Sequence, residues 1–150
     1  MSSDVIVERL GLADIQALRI AVLRRGTPAT TAVYDGDELP TTVHIGARRN
    51  GVVVATSTWI HAAWPHDPAL PAVQLRGMAV DDSLQGTGIG RRLIDAGLAH
   101  AREVGASIVW AKARDSALAF YERCEFRVVG DQFIEPASGM PHHIVVREVA

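Results

Sequence analysis

Three glycines at alternating positions, Gly86, Gly88 and Gly90, lie between an apolar stretch and a run of apolar residues at helical spacing. A glycine has no Cβ atom, so a ligand can approach its backbone closely. The first N–H groups of the helix that follows have no partner within the helix, and the helix dipole adds partial positive charge there. A phosphate or pyrophosphate group satisfies both features. The stretch therefore predicts an anion-binding loop at the start of a helix.

Two arginines, Arg91 and Arg92, follow the last glycine of this loop directly. Positive side chains in the first turn of a helix oppose the helix dipole. A bound anion between them and the helix end would remove that conflict. We therefore expect both arginines to take part in binding the anion.

The spacing of the loop distinguishes three kinds of phosphate-binding loop. A Walker-type loop ends in Gly-Lys-Ser/Thr, whereas this loop ends in Gly90-Arg91-Arg92. A dinucleotide fingerprint has two residues between its second and third glycines, and here only Ile89 separates them. The pattern Gln85-x-x-Gly88-x-Gly90 instead resembles the acyl-CoA pyrophosphate loop of the GNAT superfamily of N-acetyltransferases. The alternative is a glycine-rich helix cap that binds no ligand.

Two further motifs resemble the same superfamily. Residues 113–126 contain Phe120-Tyr121 and look like its helix with an aromatic-tyrosine pair, and Gly139-Met140-Pro141-His142 is similar to the Gly-Ile-Pro-His of one subgroup. The chain departs from the family pattern at Glu125, where members usually have glycine, and at Lys112, where many relatives carry asparagine. We expect Glu125 to adopt a left-handed backbone conformation.

The resemblance implies a reaction in which an amine attacks the acyl thioester directly and CoA thiolate is expelled. Its co-substrate would be acetyl-CoA or another acyl-CoA, and no metal would be needed. Tyr121 matches the general-acid position, because a phenol with an ordinary pKa near 10 is neutral at pH 7 and can donate a proton. The alternative for Tyr121 is a packed aromatic ring with a satisfied hydroxyl group.

The sequence leaves the general base open. The superfamily often uses a glutamate on the central strand, but residues 73–80 contain no carboxylate. Glu135 and His142, which flank a late loop, are the candidate bases, and His44 comes after them. Each could equally be a polar residue with no catalytic role, and a water chain to bulk solvent is a further option.

The expected binding residues form two groups. The backbone of Met78 and Val80 would pair with the pantetheine arm, because a strand edge that diverges from its neighbour leaves free N–H and C=O groups. The residues expected to bind the cofactor are Met78, Ala79, Val80, Gln85, Gly86, Thr87, Gly88, Ile89, Gly90, Arg91, Arg92, Ser116 and Tyr121. The residues expected to line the acceptor side are Tyr34, Asp35, His44 and Trp59. Asp37 could line it too, and an acidic lining would suit a cationic amine. Equally, these acids could belong to an ordinary solvated loop, which is the favoured interpretation for Asp37.

Composition limits the remaining classes of function. The chain has 150 residues, 48% of them hydrophobic, which is enough for a single domain over residues 1–150 with a sizeable core. A formal net charge of −2 without a long basic run disfavours nucleic acid as a partner. One cysteine excludes an internal disulfide and disfavours a cysteine metal site. The first residues lack a basic segment and no apolar run reaches about 18 residues, so we expect a cytoplasmic protein with no membrane contact.

Periodicity and turn residues predict the elements that position the site. Residues 43–49 and 52–60 flank Asn50-Gly51, a strong hairpin signal. The other predicted strands are residues 5–10, 73–80, 107–112, 126–129 and 144–149, and the predicted helices are residues 13–25, 88–104 and 115–124, the last capped by Asp115-Ser116. The order β α β β β α β α β β agrees with an α/β (α+β) GNAT fold, whose mixed sheet of about seven strands is splayed at the acyl-CoA site and flanked by helices.

Several functions share these motifs. The main expectation is an enzyme that moves an acetyl group from acetyl-CoA to the amine of a small molecule or a peptide. Alternatives are a non-catalytic module that binds acyl-CoA for regulation, and an enzyme that acylates a protein N-terminus or a hydroxyl group. A homodimer is left open.

Overall fold

The structure is a computed structural model that describes residues 4–150; the expectation of a cytoplasmic protein also draws on Met1 to Ser3, which lie outside the described residues. The strands are β1 (Val5–Leu10), β2 (Val43–Arg49), β3 (Val52–His61), β4 (Ala72–Val80), β5 (Ile108–Arg114), β6 (Arg127–Glu135) and β7 (Met140–Glu148). The helices are α1 (Leu12–Leu23), α2 (Ile89–Glu103) and α3 (Leu118–Arg123), with short 3₁₀ turns at Asp82–Leu84 and Asp115–Ala117. The predicted order of elements is confirmed.

The strands form one mixed sheet in the order β1-β2-β3-β4-β5-β7-β6. Within the described residues, β4 and β5 run parallel and the other five pairs are antiparallel. β7 returns to lie between β5 and β6. The expected mixed sheet of about seven strands is therefore confirmed. In the same part of the chain no helix is long and apolar enough to cross a membrane.

The hairpin between β2 and β3 forms where the sequence predicts it. Asn50 and Gly51 have φ values of 53° and 79°, and Arg49 pairs with Val52 across them. Two successive residues with positive φ are what a two-residue turn of type I′ needs, and asparagine followed by glycine supplies them at the lowest steric cost.

Helix α2 covers one face of the sheet. Its residues Leu93, Ile94 and Leu98 are almost fully buried and belong to the same core as Trp59 of β3. A Cβ atom at Gly97 would lie only 1.9 Å from the Trp59 ring, so the glycine lets the helix approach the strand closely. Trp59 is 0% exposed. The expectation that Trp59 lines the acceptor side is therefore wrong, because its ring lies beneath α2.

Helix α1 lies on the opposite face. Successive residues of a strand point to opposite faces, so Thr58 points away from the face that Trp59 occupies. The guanidinium group of Arg19 in α1 donates to the Thr58 hydroxyl at 2.7 Å. A second apolar cluster also lies on the sheet face that points away from α2. Its buried members are Ile108 and Trp110 of β5, Val146 of β7, and Trp64.

The late part of the chain differs from the sequence prediction. β6 and β7 run to Glu135 and from Met140, so the polar loop between them shrinks to residues 136–139. β6 is an edge strand with mostly exposed residues, and it lacks the apolar alternation by which strands are recognised. Glu125 has a φ of 68°, as expected. The capping role expected for Asp115 is wrong, since its carboxylate lies 2.7 Å from His143 Nδ1 and accepts from Gln132 Nε2 at 2.6 Å instead.

Candidate active site

The two parallel strands separate part of the way along their length. β4 and β5 are paired from Ala72 with Ile108 to Leu75 with Ala111, and beyond that point they diverge. β4 has a bulge in the same place, since its residues 77 and 78 have no register partner on β3 and Gly77 has a φ of 58°. The divergence opens a cavity of about 590 Å³ that both strands line. The sheet is therefore splayed where the resemblance expects it.

The edge of β4 presents backbone groups to this gap. The amide of Asp81 donates to the Val54 carbonyl on β3 at 2.8 Å. Because N–H and C=O groups alternate in direction along a strand, those of Val80 point to the β5 side. The Val80 carbonyl lies 3.3 Å from Gln85 Nε2, so the loop glutamine is tied to the same edge. Pairing of Met78 and Val80 with a pantetheine arm stays a prediction that this geometry permits.

The glycine loop has an open backbone. Gly86 and Gly88 have φ values of 81° and 88°, which L side chains rarely adopt, and a Cβ atom on either would meet no atom within 4 Å. Gly88 is the N-cap of α2. Across residues 4–150, the amides that donate to no protein acceptor in this loop are those of Gly86, Gly88, Ile89, Gly90 and Arg91. This set of free donors fits a pyrophosphate group.

Gly90 is closely packed against a neighbouring side chain. A Cβ atom there would lie 3.0 Å from the ring of Phe120 in α3. The glycine therefore lets the first turn of α2 pack against α3. The exposed Ser116 lies in the 3₁₀ turn that leads into α3, next to Ala117, which lines the cavity.

The side chains of Arg91 and Arg92 have partners of their own. Arg91 donates to the carbonyl of Arg123 at 2.8 Å, at the C-terminal end of α3, and Arg92 donates to the carbonyl of Val5 through both terminal nitrogens at 3.3 Å. Carbonyl groups at a helix C-terminus carry partial negative charge. The expected conflict with the dipole of α2 is therefore relieved by protein carbonyls, and an anion is not needed for that purpose.

Tyr121 is a buried side chain with an unengaged hydroxyl group. Its ring makes edge contacts with Phe120 and Phe126, with ring centres 5.3 and 5.4 Å apart, and the residue lines the cavity. Within the described residues its hydroxyl makes no hydrogen bond. Burial raises the pKa of Tyr121 well above its ordinary value, and the nearby Cys124 thiol adds to this. The phenol is therefore neutral at pH 7 and keeps its proton available to a ligand.

The two candidate bases both line the cavity and have different partners. His142 Nδ1 lies 2.9 Å from the carbonyl of Met140. A carbonyl oxygen only accepts, so Nδ1 carries the hydrogen and the lone pair of the neutral ring lies on Nε2. Glu135 instead lies 3.9 Å from the ammonium group of Lys112. Within residues 4–150, Nε2 of His142 therefore has no hydrogen-bond partner, whereas Glu135 is paired with a cation.

His44 does not belong to this cavity. Its Nδ1 lies 2.7 Å from the Thr58 hydroxyl and its Nε2 lies 3.1 Å from the Asp37 carbonyl, so both ring nitrogens have partners. Burial lowers the pKa of His44. The expectation that it faces the acceptor, as lining or as a reserve base, is wrong, because the ring is enclosed between β2, β3 and the segment before β2.

The sequence interpretation missed Arg19, which organises the segment that contributes Tyr34 and Asp35 to the cavity wall. Its side chain is 0% exposed and donates to both carboxylate oxygens of Asp37, at 2.7 and 3.0 Å, and to the carbonyl of Ala32. The ring of Tyr34 lies over the guanidinium group at 4.5 Å. Asp37 is therefore buried, and its interpretation as part of a solvated loop is wrong. The signal was present in the pattern, since Arg19 follows Ile15 and Leu18 at the spacing of the apolar face of α1.

The ion pair between Arg19 and Asp37 positions part of the cavity wall. The amide of Tyr34 donates to Asp37 Oδ2 at 2.6 Å, and both Tyr34 and Asp35 line the cavity. A Cβ atom at Gly77 would lie 3.2 Å from Arg19 Nε, so the β4 bulge packs directly on the same guanidinium group. The pair thus connects α1, the segment before β2 and the bulge.

Comparison with known proteins agrees with this geometry. Residues 17–126 match the family model described as "Acetyltransferase (GNAT) family". Among solved structures, Escherichia coli ElaA superposes with a TM-score of 0.75 at 20% identity, over 97% of this chain and 100% of its own. An acyl-CoA N-acyltransferase from Pseudomonas aeruginosa gives 0.74 at 22% identity, over 97% and 99%. YncA of Salmonella typhimurium, solved with acetyl-CoA, gives 0.72 at 17% identity, over 97% and 94%.

No curated protein matches the chain in sequence. The structural likeness, at these identities, concerns the fold, whereas the family model covers most of the chain directly. The family match, the splayed sheet and the glycine loop lead to one conclusion. The chain belongs to the GNAT acetyltransferase family.

Proposed function

We propose that the protein is an N-acyltransferase that moves an acetyl group from acetyl-CoA to the amine of a small molecule or a peptide. The observation that carries the proposal is that one cavity, at the point where β4 and β5 separate, is lined by Met78 of β4, by Tyr121 and by His142. Two of the similar structures support it by their names, one as an acyl-CoA N-acyltransferase and one as an acetyltransferase holding acetyl-CoA.

The chain's own groups suit acyl-CoA as the donor. The free amides of the loop from Gly86 to Arg91 would hold the pyrophosphate, and the loop leads directly from the β4 edge that would hold the pantetheine arm. Binding of the pyrophosphate does not require a positively charged side chain, because the loop amides and the helix dipole provide the attraction. The thioester would then lie in the gap between β4 and β5, beside Tyr121.

The reaction makes one bond and breaks one. The amine lone pair attacks the thioester carbonyl carbon, the new C–N bond forms, and the C–S bond breaks with its electron pair moving to sulfur. A cysteine-like thiol has a pKa near 8.5, below that of a phenol, so complete proton transfer from Tyr121 is uphill. A hydrogen bond from the hydroxyl to the departing sulfur still stabilises the charge that develops there. Another group must accept the proton that the amine loses.

His142 is the best placed acceptor for that proton. The residue lines the cavity, and its neutral ring carries the lone pair on Nε2, because Nδ1 is tied to the Met140 carbonyl. The Glu135 carboxylate already has a cationic partner, since it lies 3.9 Å from the ammonium group of Lys112. We therefore assign the general base to His142.

This assignment predicts a difference between two matched variants. In the parent protein, kcat/KM should rise with pH to a plateau, and the inflection that belongs to the base should vanish in His142→Gln and persist in Glu135→Gln. We expect the plateau of His142→Gln to fall by roughly 10²-fold, the usual contribution of a positioned base. Initial rates of thiol release from acetyl-CoA across the pH range provide the measurement.

The acceptor amine is the control in this experiment, because its own deprotonation also raises the rate. An inflection caused by the amine moves with the amine's pKa along a series of acceptors and is present in every variant. Identical profiles for the parent protein and both variants would remove His142 and Glu135 as bases and leave bulk water as the proton acceptor.

The glycine loop gives a direct test of acyl-CoA binding. Gly88→Val should weaken CoA binding at least tenfold, because the β-branched side chain projects from the loop that would hold the pyrophosphate and disfavours its positive φ. Gly105→Val is the matched control, since Gly105 has a φ of 77°, has no atom within 4 Å of its Cβ position and lies just beyond the other end of α2. Calorimetry with CoA measures affinity, and thermal unfolding measures the strain. Equal CoA affinities for the two variants would argue against the pyrophosphate assignment.

A further inference from the structure

The cavity wall on the side away from α2 is predominantly cationic. Alternation along β4 and β5 places Arg76, Lys112 and Arg114 on the face opposite Leu75, Ala111 and Ala113, which belong to the core under α2. Arg24, at the end of α1, completes the cations that line the cavity. The carboxylates among the lining residues are those of Asp35 and Glu135. The lining therefore contains four cationic side chains and two carboxylates.

The four cationic side chains differ in whether a carboxylate is paired with them. Lys112 is paired with Glu135. Arg76 donates to Gln74 Oε1 at 2.9 Å and to the backbone carbonyl of Asp35 at 2.7 Å, which are neutral acceptors that hold its guanidinium group in place. In the part of the chain that the structure describes, Arg24 and Arg114 have no carboxylate within 4.0 Å. Arg24 contacts the ring of Tyr34 at 5.1 Å.

The remaining guanidinium groups, those of Arg24, Arg76 and Arg114, belong to residues that line the same cavity. Arg76 is bonded to Asp35 and Arg24 lies against Tyr34, so both contact the segment that Arg19 organises. Arg114 pairs in register with His142 on β7, which places it beside the assigned base. Guanidinium groups bind carboxylates and phosphates through paired hydrogen bonds, more strongly where water is partly excluded.

We infer that the acceptor is an amine that also carries an anionic group, a carboxylate or a phosphate, which Arg24, Arg76 and Arg114 bind while the amine faces His142. This inference rests on the proposed acetyltransferase function and narrows its substrate class. It replaces the sequence-based expectation of an acidic lining for a simple cationic amine. The pyrophosphate of CoA does not account for these arginines, because the free amides of the glycine loop at the start of α2 would hold it.

Pairs of amines that differ only in the anion test the inference. The probes are the common L-amino acids against their carboxamides, and phosphoethanolamine against ethanolamine, so the two arms separate carboxylate from phosphate. We expect kcat/KM for acetyl transfer to favour the anionic member of at least one pair by about tenfold or more. A carboxamide has the more acidic ammonium group and thus more free amine at neutral pH, which works against the expected result.

Three variants locate the effect. Arg24→Gln and Arg114→Gln should each reduce the preference for the anionic member about tenfold, since each removes one charge-assisted contact. Arg127→Gln is the control, because Arg127 is exposed on the edge strand and paired with Glu148, away from the cavity. The preference should be unchanged in Arg127→Gln. A preference that survives in both cavity variants would contradict the assignment.

Binding measurements separate this inference from the proposed function. Calorimetry of each probe with the protein and CoA together reports affinity without turnover. Binding of anionic members without any transfer would support the binding of an anionic amine by these arginines and would overturn the catalytic proposal. Transfer to neutral members with equal or better kcat/KM would support the catalytic proposal and overturn the inference. The absence of binding by every anionic member of the panel would also overturn the inference.

Discussion

Replacing Tyr121 by phenylalanine should lower turnover by roughly 10²-fold or more, which is the usual contribution of one positioned hydrogen-bond donor to a developing charge, and leave CoA affinity unchanged. The substitution keeps the ring and its contacts with Phe120 and Phe126. Within residues 4–150 the hydroxyl has no partner, so its removal leaves no buried donor or acceptor unsatisfied. The free energy of unfolding should therefore change little, and the loss should appear in kcat.

The raised pKa of Tyr121 gives this prediction a pH dependence. The phenol carries its proton at every pH below its pKa, and burial moves that pKa above the ordinary value of 10. Turnover of the parent protein should therefore show no alkaline decline caused by Tyr121 below about pH 10. Tyr121→Phe should lower the rate by the same factor across that range. Rates of thiol release at saturating substrates, with CoA calorimetry as the control for binding, are the measurements. Turnover within about twofold of the parent would mean that the thiolate leaves without help from this hydroxyl.

Replacing Asp37 by asparagine should lower the free energy of unfolding by about 3–5 kcal/mol. The side chains of Arg19 and Asp37 are both 0% exposed, so the substitution leaves a buried guanidinium group without its counter-charge. Arg19 would keep its bonds to Ala32 and Thr58, but its Nε already has no acceptor. Because Tyr34 and Asp35 depend on this pair for their position, KM for the acceptor should rise as well.

The protein contains a matched surface pair for comparison. Arg25 and Asp82 lie 2.8 Å apart, as close as the buried pair, but their side chains are 58% and 61% exposed. Asp82→Asn should change the free energy of unfolding by about 1 kcal/mol or less, since water and salt already screen exposed pairs. Urea denaturation of both variants measures the difference. A loss in Asp37→Asn no larger than that in Asp82→Asn would show that the buried pair does not stabilise the fold.

The sequence by itself determined the features that depend on neighbouring residues. Asn50-Gly51 predicted the turn between β2 and β3, and the spacing of apolar residues after Gly90 predicted α2, because turn chemistry and helical periodicity are local. The glycine loop and Tyr121 were found through short motifs for the same reason. The predicted ends of strands were wrong where the local signal is weak. An example is the exposed edge strand β6, whose residues do not alternate between a core and solvent.

Only the tertiary structure decided how the site is built from distant residues. Arg19 meets Asp37 and Thr58, which lie 18 and 39 residues away, and no local pattern encodes those contacts. The choice between His142 and Glu135 depends on a carbonyl and an ammonium group that face them after folding. The cationic wall arises because β4, β5 and the end of α1 converge on one cavity. Charges that are dispersed along the chain become a binding surface only when strand register and side-chain direction bring them together.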